Sequence, residues 1–462
     1  YHPELVRGGA QQVCYEVFEG LKETADVQPV LLAAVDESFD FLFKSGARIT
    51  GFDQRQDEFI YLSRDYDHLW HKAGSPLLVE AFVEFLELIQ PDVVHFHHFL
   101  QLGLDLLTVT RRTLPKARIV FTLHEFLLIC DANGHMIRRF DGSLCTHASQ
   151  VRCHQCFPDR APEHFFMREM WVKRHLAAVD VFTVPSKFMI EHFVRWGLDR
   201  NKIVHVTNGQ RDYSGGVALL DHPGKRNRFG FFGQLVDAKG VQLIMRAVRQ
   251  LRAEGFTDFT IEINGDNLRY ATPACREEIE SFLKAEQELP FEQQIVVMNG
   301  SYHVDQLRQR MARIDWCIVP SMWWEIFALV ISEAWMFGRP VICSNVGAMA
   351  ERVSDGVDGL HFEMGDAAAL ARTIRRAATE DGLWERLHKG LPRPPAREDM
   401  INGFIGVYRG QGGSTAQATS DAPTVPDAPI VAAAAPAVAT AASKRSRPSQ
   451  SRVAPGEAAA SA

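Results

Sequence analysis

The stretch Pro320-Ser321-Met322-Trp323-Trp324-Glu325-Ile326-Phe327-Ala328-Leu329-Val330-Ile331-Ser332-Glu333-Ala334-Trp335-Met336-Phe337-Gly338-Arg339-Pro340-Val341-Ile342-Cys343 sets the fold class of this chain. Two carboxylates eight positions apart frame an apolar run, and Gly338-Arg339-Pro340 stops it before a strand-like Val341-Ile342-Cys343. Were the run helical throughout, its rise would separate Glu325 from Glu333 by roughly 12 Å. That is too far for a hydrolytic acid/base pair, which needs about 5 to 9.5 Å. It suits two acceptors gripping separate hydroxyls of one long ligand. Taken alone, the stretch is a half-buried helix with one acid near each end.

Outward from it, the same helix-then-strand unit recurs. Strands are predicted at 30–35, 93–96, 118–122, 181–184 and 203–206, with helices at 9–24, 76–89, 102–114, 164–178 and 187–195. After Asn208-Gly209 the pattern breaks into a polar segment, 210–227, which reads as a linker. A second series follows, with strands at 228–232, 259–263, 295–298, 316–319 and 341–344. Such alternation predicts an α/β chain with two parallel sheets, each covered on both faces. Ligands of such sheets bind in the crevice at the strands' carboxyl ends. The expected organisation is therefore two Rossmann-like domains, 1–209 and 228–396, facing one cleft. A last amphipathic helix covers 397–410. From 411 to 462 the composition collapses to Ala, Pro, Ser and Thr, and that tail is expected to be disordered.

At 462 residues, 46% apolar and 23% charged, the composition is that of an ordinary globular protein. A net charge of −7 leaves no basic excess to neutralise phosphates, so no nucleic-acid partner is expected. No apolar run reaches the length of a membrane span, which leaves at most peripheral membrane contact. The chain opens Tyr1-His2-Pro3-Glu4, with neither the basic end nor the apolar core of a signal peptide; a first strand is expected upstream. Eight cysteines in this length do not form a secreted disulfide framework. A cytoplasmic setting is expected, with any membrane contact at the inner face. Four of the eight, Cys130, Cys145, Cys153 and Cys156, cluster in a loop-like insertion at 127–160. The two-residue spacing of Cys153 and Cys156 lets both thiolates reach one ion, and two more would complete a tetrahedral structural zinc site. Free thiols, a redox disulfide or an iron–sulfur site are the alternatives.

An ordered set of motifs carries a resemblance. Arg7-Gly8-Gly9-Ala10 opens the first helix, His95 follows Pro91-Asp92-Val93-Val94, and Thr122-Leu123-His124-Glu125 follows the next strand. Pro185-Ser186 and Val206-Thr207-Asn208-Gly209 close the first half. Phe232-Gly233-Gln234-Leu235-Val236-Asp237-Ala238-Lys239-Gly240, Ile263-Asn264-Gly265-Asp266, the Glu325/Glu333 pair and Gly347-Ala348-Met349-Ala350-Glu351 follow in the second. Over residues 1–409 the chain resembles the retaining glycosyltransferases of the GT-B fold, specifically the large family-4 group. A subset of bacterial members carries a similar Cys-rich insertion.

The resemblance implies sugar transfer from a nucleotide-diphosphate sugar to a saccharide or lipid-linked acceptor, without a catalytic metal. It implies that Glu333 accepts the ribose hydroxyls and Glu325 the donor-sugar hydroxyls. Lys239, with Gly233 nearby, faces the diphosphate, where an ammonium offsets leaving-group charge. The amides of Phe327, Ala328 and Leu329 and the Gly8-Gly9 turn offer helix N-termini to anions. His124 meets the donor sugar or orients the acceptor. Relatives usually carry Arg where Gln234 stands, Gly at Ala328 and Asp at Glu125. Gln234 lacks the charge and fork of Arg. Two other classes stay open: a nucleotide-sugar epimerase of the same fold, and a non-catalytic sugar- or nucleotide-binding relative.

Overall fold

The computed structural model describes residues 1–6, 8–44, 46–215 and 224–411. Thirteen strands fall into three sheets among them. β1 (Leu31–Val35), β2 (Ile49–Gly51) and β3 (Glu58–Leu62) form one, in the order β1-β3-β2. β4 (Val93–Phe96), β5 (Arg118–Thr122), β6 (Val181–Val184) and β7 (Ile203–His205) form a second, parallel and in sequence order. The third holds β8 (Arg228–Phe232), β9 (Thr260–Asn264), β10 (Val296–Gly300), β11 (Trp316–Val319), β12 (Val341–Ser344) and β13 (Gly359–Phe362), in the order β10-β9-β8-β11-β12-β13.

Two parallel sheets were expected, and the first half departs from that. Its strands split between two sheets, and β2 runs antiparallel to β3. A short connection, Phe52 to Asp57, joins these two strands, and a connection that short returns the chain antiparallel. The second half is parallel throughout, as expected, and gains β13.

Burial explains why these runs became strands. Ile119, Val120 and Phe121 of β5 are all buried, yet they serve two cores. Ile119 and Phe121 pack with Phe182, Leu176 and Phe193; Val120, on the other face, meets Val13, Val17, Ile401 and Phe404. In β11, Trp316 and Ile318 join one core while Cys317 and Val319 join the opposite one. A continuous apolar strand is what a sheet covered on both faces requires.

The helix Arg397–Tyr408 comes from the carboxyl-terminal half but lies on the amino-terminal one, against the helix Gly9–Lys22. Its start pairs with the end of the first half through a bridge between Gln210 and Ala396. Of the segment read as a linker, 216–223 lie outside the described residues, as does the tail from 412 onward. No described helix is long and apolar enough to cross a membrane.

Candidate functional site

The order β9-β8-β11-β12 contains a switch point: the chain runs outward from β8 to β10, then returns to the other side of β8 as β11. A crevice opens at the carboxyl ends of two such strands. Lys239 lies beyond β8 and Glu325 beyond β11, and the two meet: Lys239 Nζ stands 2.8 Å from Glu325 Oε2. Gly240 permits this approach. It sits at φ +73°, and a Cβ there would stand 1.9 Å from the carbonyl oxygen of Pro320. Met322 N–H donates to Ala238 O at 2.8 Å, closing the two loops on each other.

Glu325 is buried, and burial alone would raise its carboxyl pKa. The Lys239 charge, with hydrogen bonds from Lys239, Trp323 and Ser321, outweighs that and holds it below the ordinary range. Trp323 Nε1 donates at 2.9 Å and Ser321 Oγ at 3.0 Å, both to Oε2. Oε1 has no hydrogen-bond partner among the described residues. It is the open face of an otherwise fixed carboxylate.

The helix Leu329–Met336 begins only after Glu325, so Glu325 is a loop residue and Glu333 a helical one. Ala328 caps the helix in the left-handed conformation, φ +55°. Arg352 braces this turn, donating to Phe327 O at 2.6 Å, Ala328 O at 3.1 Å and Ser332 Oγ at 2.6 Å. The carbonyls of Phe327 and Ala328 are thus satisfied, while the amides of Phe327, Ala328 and Leu329 have no acceptor among the described residues. Across from them stands the other helix start. A Cβ at Gly9 would lie 4.0 Å from Leu329 Cδ1, so Gly8 and Gly9 bring a second N-terminus to the same place. Two helix starts with open amides make a site for a polyanion.

Glu333 accepts only Gln210 Nε2, at 3.3 Å, and burial raises its pKa. No cation pairs with it among the described residues. Gln234 is exposed and makes no hydrogen bond among the described residues, so it adds nothing to the Lys239–Glu325 pair; the Gly233 amide beside it donates to Asn264 O at 3.0 Å.

The facing wall is made of imidazoles. His124 Nε2 and His97 Nδ1 share a 3.0 Å hydrogen bond, and His95 bridges Tyr408 (2.8 Å) and Thr122 (2.7 Å). Burial drives all three histidines well down, His95 to about 3. They are neutral at physiological pH. Beside them lies a hollow of about 630 Å³ lined by His71, His98, Glu125, Asn133 and Arg160. His98 Nδ1 accepts from the amides of Phe99 and Leu100, which leaves its proton on Nε2, 3.6 Å from Glu125 Oε1. Burial pushes Glu125 up to about 8, so its carboxyl is protonated at neutral pH. His71 is 5% exposed and neither ring nitrogen has a partner.

Sequence reasoning missed three contributors. Arg352 follows directly on the Gly347–Glu351 motif but was not part of it, and His71 sits in a run with no motif around it. His135 lies in the Cys-rich insertion, and its ring meets Trp323 edge-on at 5.2 Å. Cys130, Cys145, Cys153 and Cys156 all line one small hollow, and all are free thiols. Among the described residues no group of three or more His, Cys, Asp or Glu side chains stands ready to hold a metal ion.

The family model for Glycosyltransferase Family 4 matches residues 7–210, and that for Glycosyl transferases group 1 matches 226–380. The chain belongs to the GT-B glycosyltransferases. The structure of Anabaena Alr3699/HepE in complex with UDP superposes on this glycosyltransferase with TM-score 0.60 at 16% identity, over 87% of this chain and 96% of that one. Sucrose-phosphate synthase from Thermosynechococcus elongatus superposes with TM-score 0.62 at 17% identity, over 87% and 93%. By sequence, this glycosyltransferase is 23% identical to a 41.2 kDa protein in the cps region of Klebsiella pneumoniae, over 52% of its own length. It is 28% identical to lipopolysaccharide 1,2-N-acetylglucosaminetransferase of Salmonella typhimurium, over 32% of its length. These alignments span 64% and 39% of the two relatives.

Proposed function

We propose that this glycosyltransferase moves a sugar from a nucleotide-diphosphate sugar to an acceptor hydroxyl, with retention at the anomeric carbon, in polysaccharide or glycolipid assembly. The observation that carries the reading is the Lys239–Glu325 pair at the switch point, with two helix starts converging beside it. Glu333 would take the ribose hydroxyls, having an unpaired carboxylate to offer. Glu325 would take a donor-sugar hydroxyl on Oε1, while Oε2 stays anchored. Lys239 and the amides of Phe327, Ala328 and Leu329 would offset charge on the departing diphosphate, so that no divalent metal is needed.

The acceptor would enter the hollow of His71, His98 and Glu125. In its wall burial holds His71 and His98 down and Glu125 up, and Asp131 pairs with Arg160, which suits a neutral, hydroxyl-rich saccharide. His124 would orient the reacting hydroxyl from the neighbouring strand end. A structural neighbour solved with UDP, a relative from a cps region and a relative named as a lipopolysaccharide 1,2-N-acetylglucosaminetransferase support the direction of this reading.

A panel of nucleotide sugars, assayed for nucleoside diphosphate release with and without a chelator, tests it. Release unaffected by chelation, and a product whose anomeric signal matches the donor's, is expected. Donor bound but never turned over would favour the non-catalytic reading, which the exposed, uncharged Gln234 also suits. Inverted product would remove retention alone.

A further inference from the structure

Four thiols outside the donor cleft reach one hollow from three separate pieces of chain. Cys130 follows a turn beyond β5, its amide bonded to Phe126 O at 2.7 Å and its carbonyl to Gly134 N at 3.0 Å. Cys145 ends a small hairpin, in which Ile137 bridges Leu144 and the Cys145 amide bonds Met136 O at 2.7 Å. Cys153 and Cys156 stand one turn apart on the short helix Gln150–Cys156, a spacing that puts both on one face. The hollow they share measures about 40 Å³. That is room for no more than a few water-sized groups, since one water needs about 10 to 15 Å³ of such space.

We propose that Cys130, Cys145, Cys153 and Cys156 bind one zinc ion as a closed tetrahedral site, and that this site fastens the insertion that walls the cleft. The ligand chemistry fits: four soft sulfur donors with a C-x-x-C pair select zinc or iron, and zinc keeps one oxidation state and needs no bridging sulfide. The surroundings fit too. A zinc tetrathiolate is negatively charged, and Arg138 and Arg152 line the same hollow. The thiols do not yet converge, so binding draws them inward and releases their protons to solvent, with no change of oxidation state.

Position gives the ion its consequence. The segment from Leu127 to Ser149 contains no helix or strand beyond the hairpin's isolated bridge. It is nonetheless wedged against the donor loop. Trp324 Nε1 donates to Cys145 O at 3.0 Å, and His135 packs on Trp323, whose Nε1 holds Glu325. Buried Leu128, Ile129 and Met136 and its own turn hydrogen bonds anchor it, and a metal clip across its loops would add to that hold.

Untagged full chain, purified without chelator and analysed by plasma mass spectrometry, is expected to carry about one zinc ion per chain. A thiol-specific mercurial should release it, and cobalt exchanged into the site should give the intense visible bands of a tetrahedral thiolate complex. Cys153→Ser/Cys156→Ser should lose the ion while Cys14→Ser keeps it. Metal-free protein with four alkylatable thiols, a disulfide seen as a two-proton mass loss, or stoichiometric iron would each overturn the proposal. These readings on the unaltered chain decide it even if the cysteine variants fail to fold. Slower donor turnover after zinc removal is also expected; only this arm rests on the sugar-transfer reading. Zinc present in a chain that turns over no donor leaves the metal site standing and sinks that reading.

Discussion

The two walls of the cleft are built from opposite chemistry. On the carboxyl-terminal side a lysine and a glutamate stand 2.8 Å apart, and the ammonium helps keep the buried carboxylate charged. On the amino-terminal side burial has stripped the charge from the titratable groups: His95, His97, His98 and His124 are pushed down and Glu125 is pushed up. The contrast teaches a division of labour. A diphosphate needs charge held ready in low dielectric, whereas an uncharged saccharide is recognised by neutral donors and acceptors that cost less to bury.

Breaking the charged wall should have the largest effect. Lys239→Ala is expected to lower kcat by about 10² to 10³, the usual loss when one stabilising donor is removed from a developing anion. Steady-state turnover of a nucleotide sugar measures it; an unchanged kcat would detach Lys239 from the chemistry. Glu333→Ala, on the same wall but away from the pair, should instead weaken donor binding by roughly 1.5 to 3 kcal/mol with kcat nearly kept. Calorimetric titration with the nucleoside diphosphate distinguishes the two.

The neutral wall is sharpened by pH. Glu125 titrates near 8 when folded against an ordinary 4.5, so the folded chain holds the extra proton between those values. Its contribution to stability is whole below pH 4.5 and drains away as pH rises through about 8. Glu125→Gln should therefore flatten the alkaline limb of a denaturation-midpoint profile and remove any alkaline rise in acceptor KM. The histidines act with the other sign. His71 and His98, held near 4 against 6.5, lend stability above 6.5 that is lost as pH falls through 4. An acid limb unchanged in a His71→Asn variant would remove His71 from that account.

The smallest effect is a gain. Ala328 sits at φ +55°, where an L-residue costs roughly 1 to 2 kcal/mol that glycine avoids. Ala328→Gly should raise stability by about 0.5 to 1 kcal/mol after glycine's own entropic cost. The methyl that Ala328 adds where relatives usually carry Gly is, in the structure, first a matter of backbone conformation.

Most of the second half was legible because its strands are continuous apolar runs ending in motifs, and such runs have one reading. β2 and β3 were not, since three residues of Ile49–Gly51 and a strand opening on Glu58 give no period to count. β13 was hidden for a similar reason, beginning at Gly359 inside a turn motif. Lys239 and Glu325 could be placed beyond their strands because each follows a strand within a few residues, while the roles expected of them and of Glu333 came from the resemblance. Arg352 and His135 act across loops distant in sequence, a pairing that only folding creates. The hollow of His71 and His98 belongs to the same class.

The bridge between Gln210 and Ala396 carries a mechanical implication. Both passages of the backbone from one lobe to the other run side by side there, like two threads through one buttonhole. Swinging the lobes apart would turn a few torsion angles at that crossing and part contacts such as Ser186 Oγ to Ile326 O and Trp324 Nε1 to Cys145 O, but no sheet has to be unzipped for a saccharide to come and go.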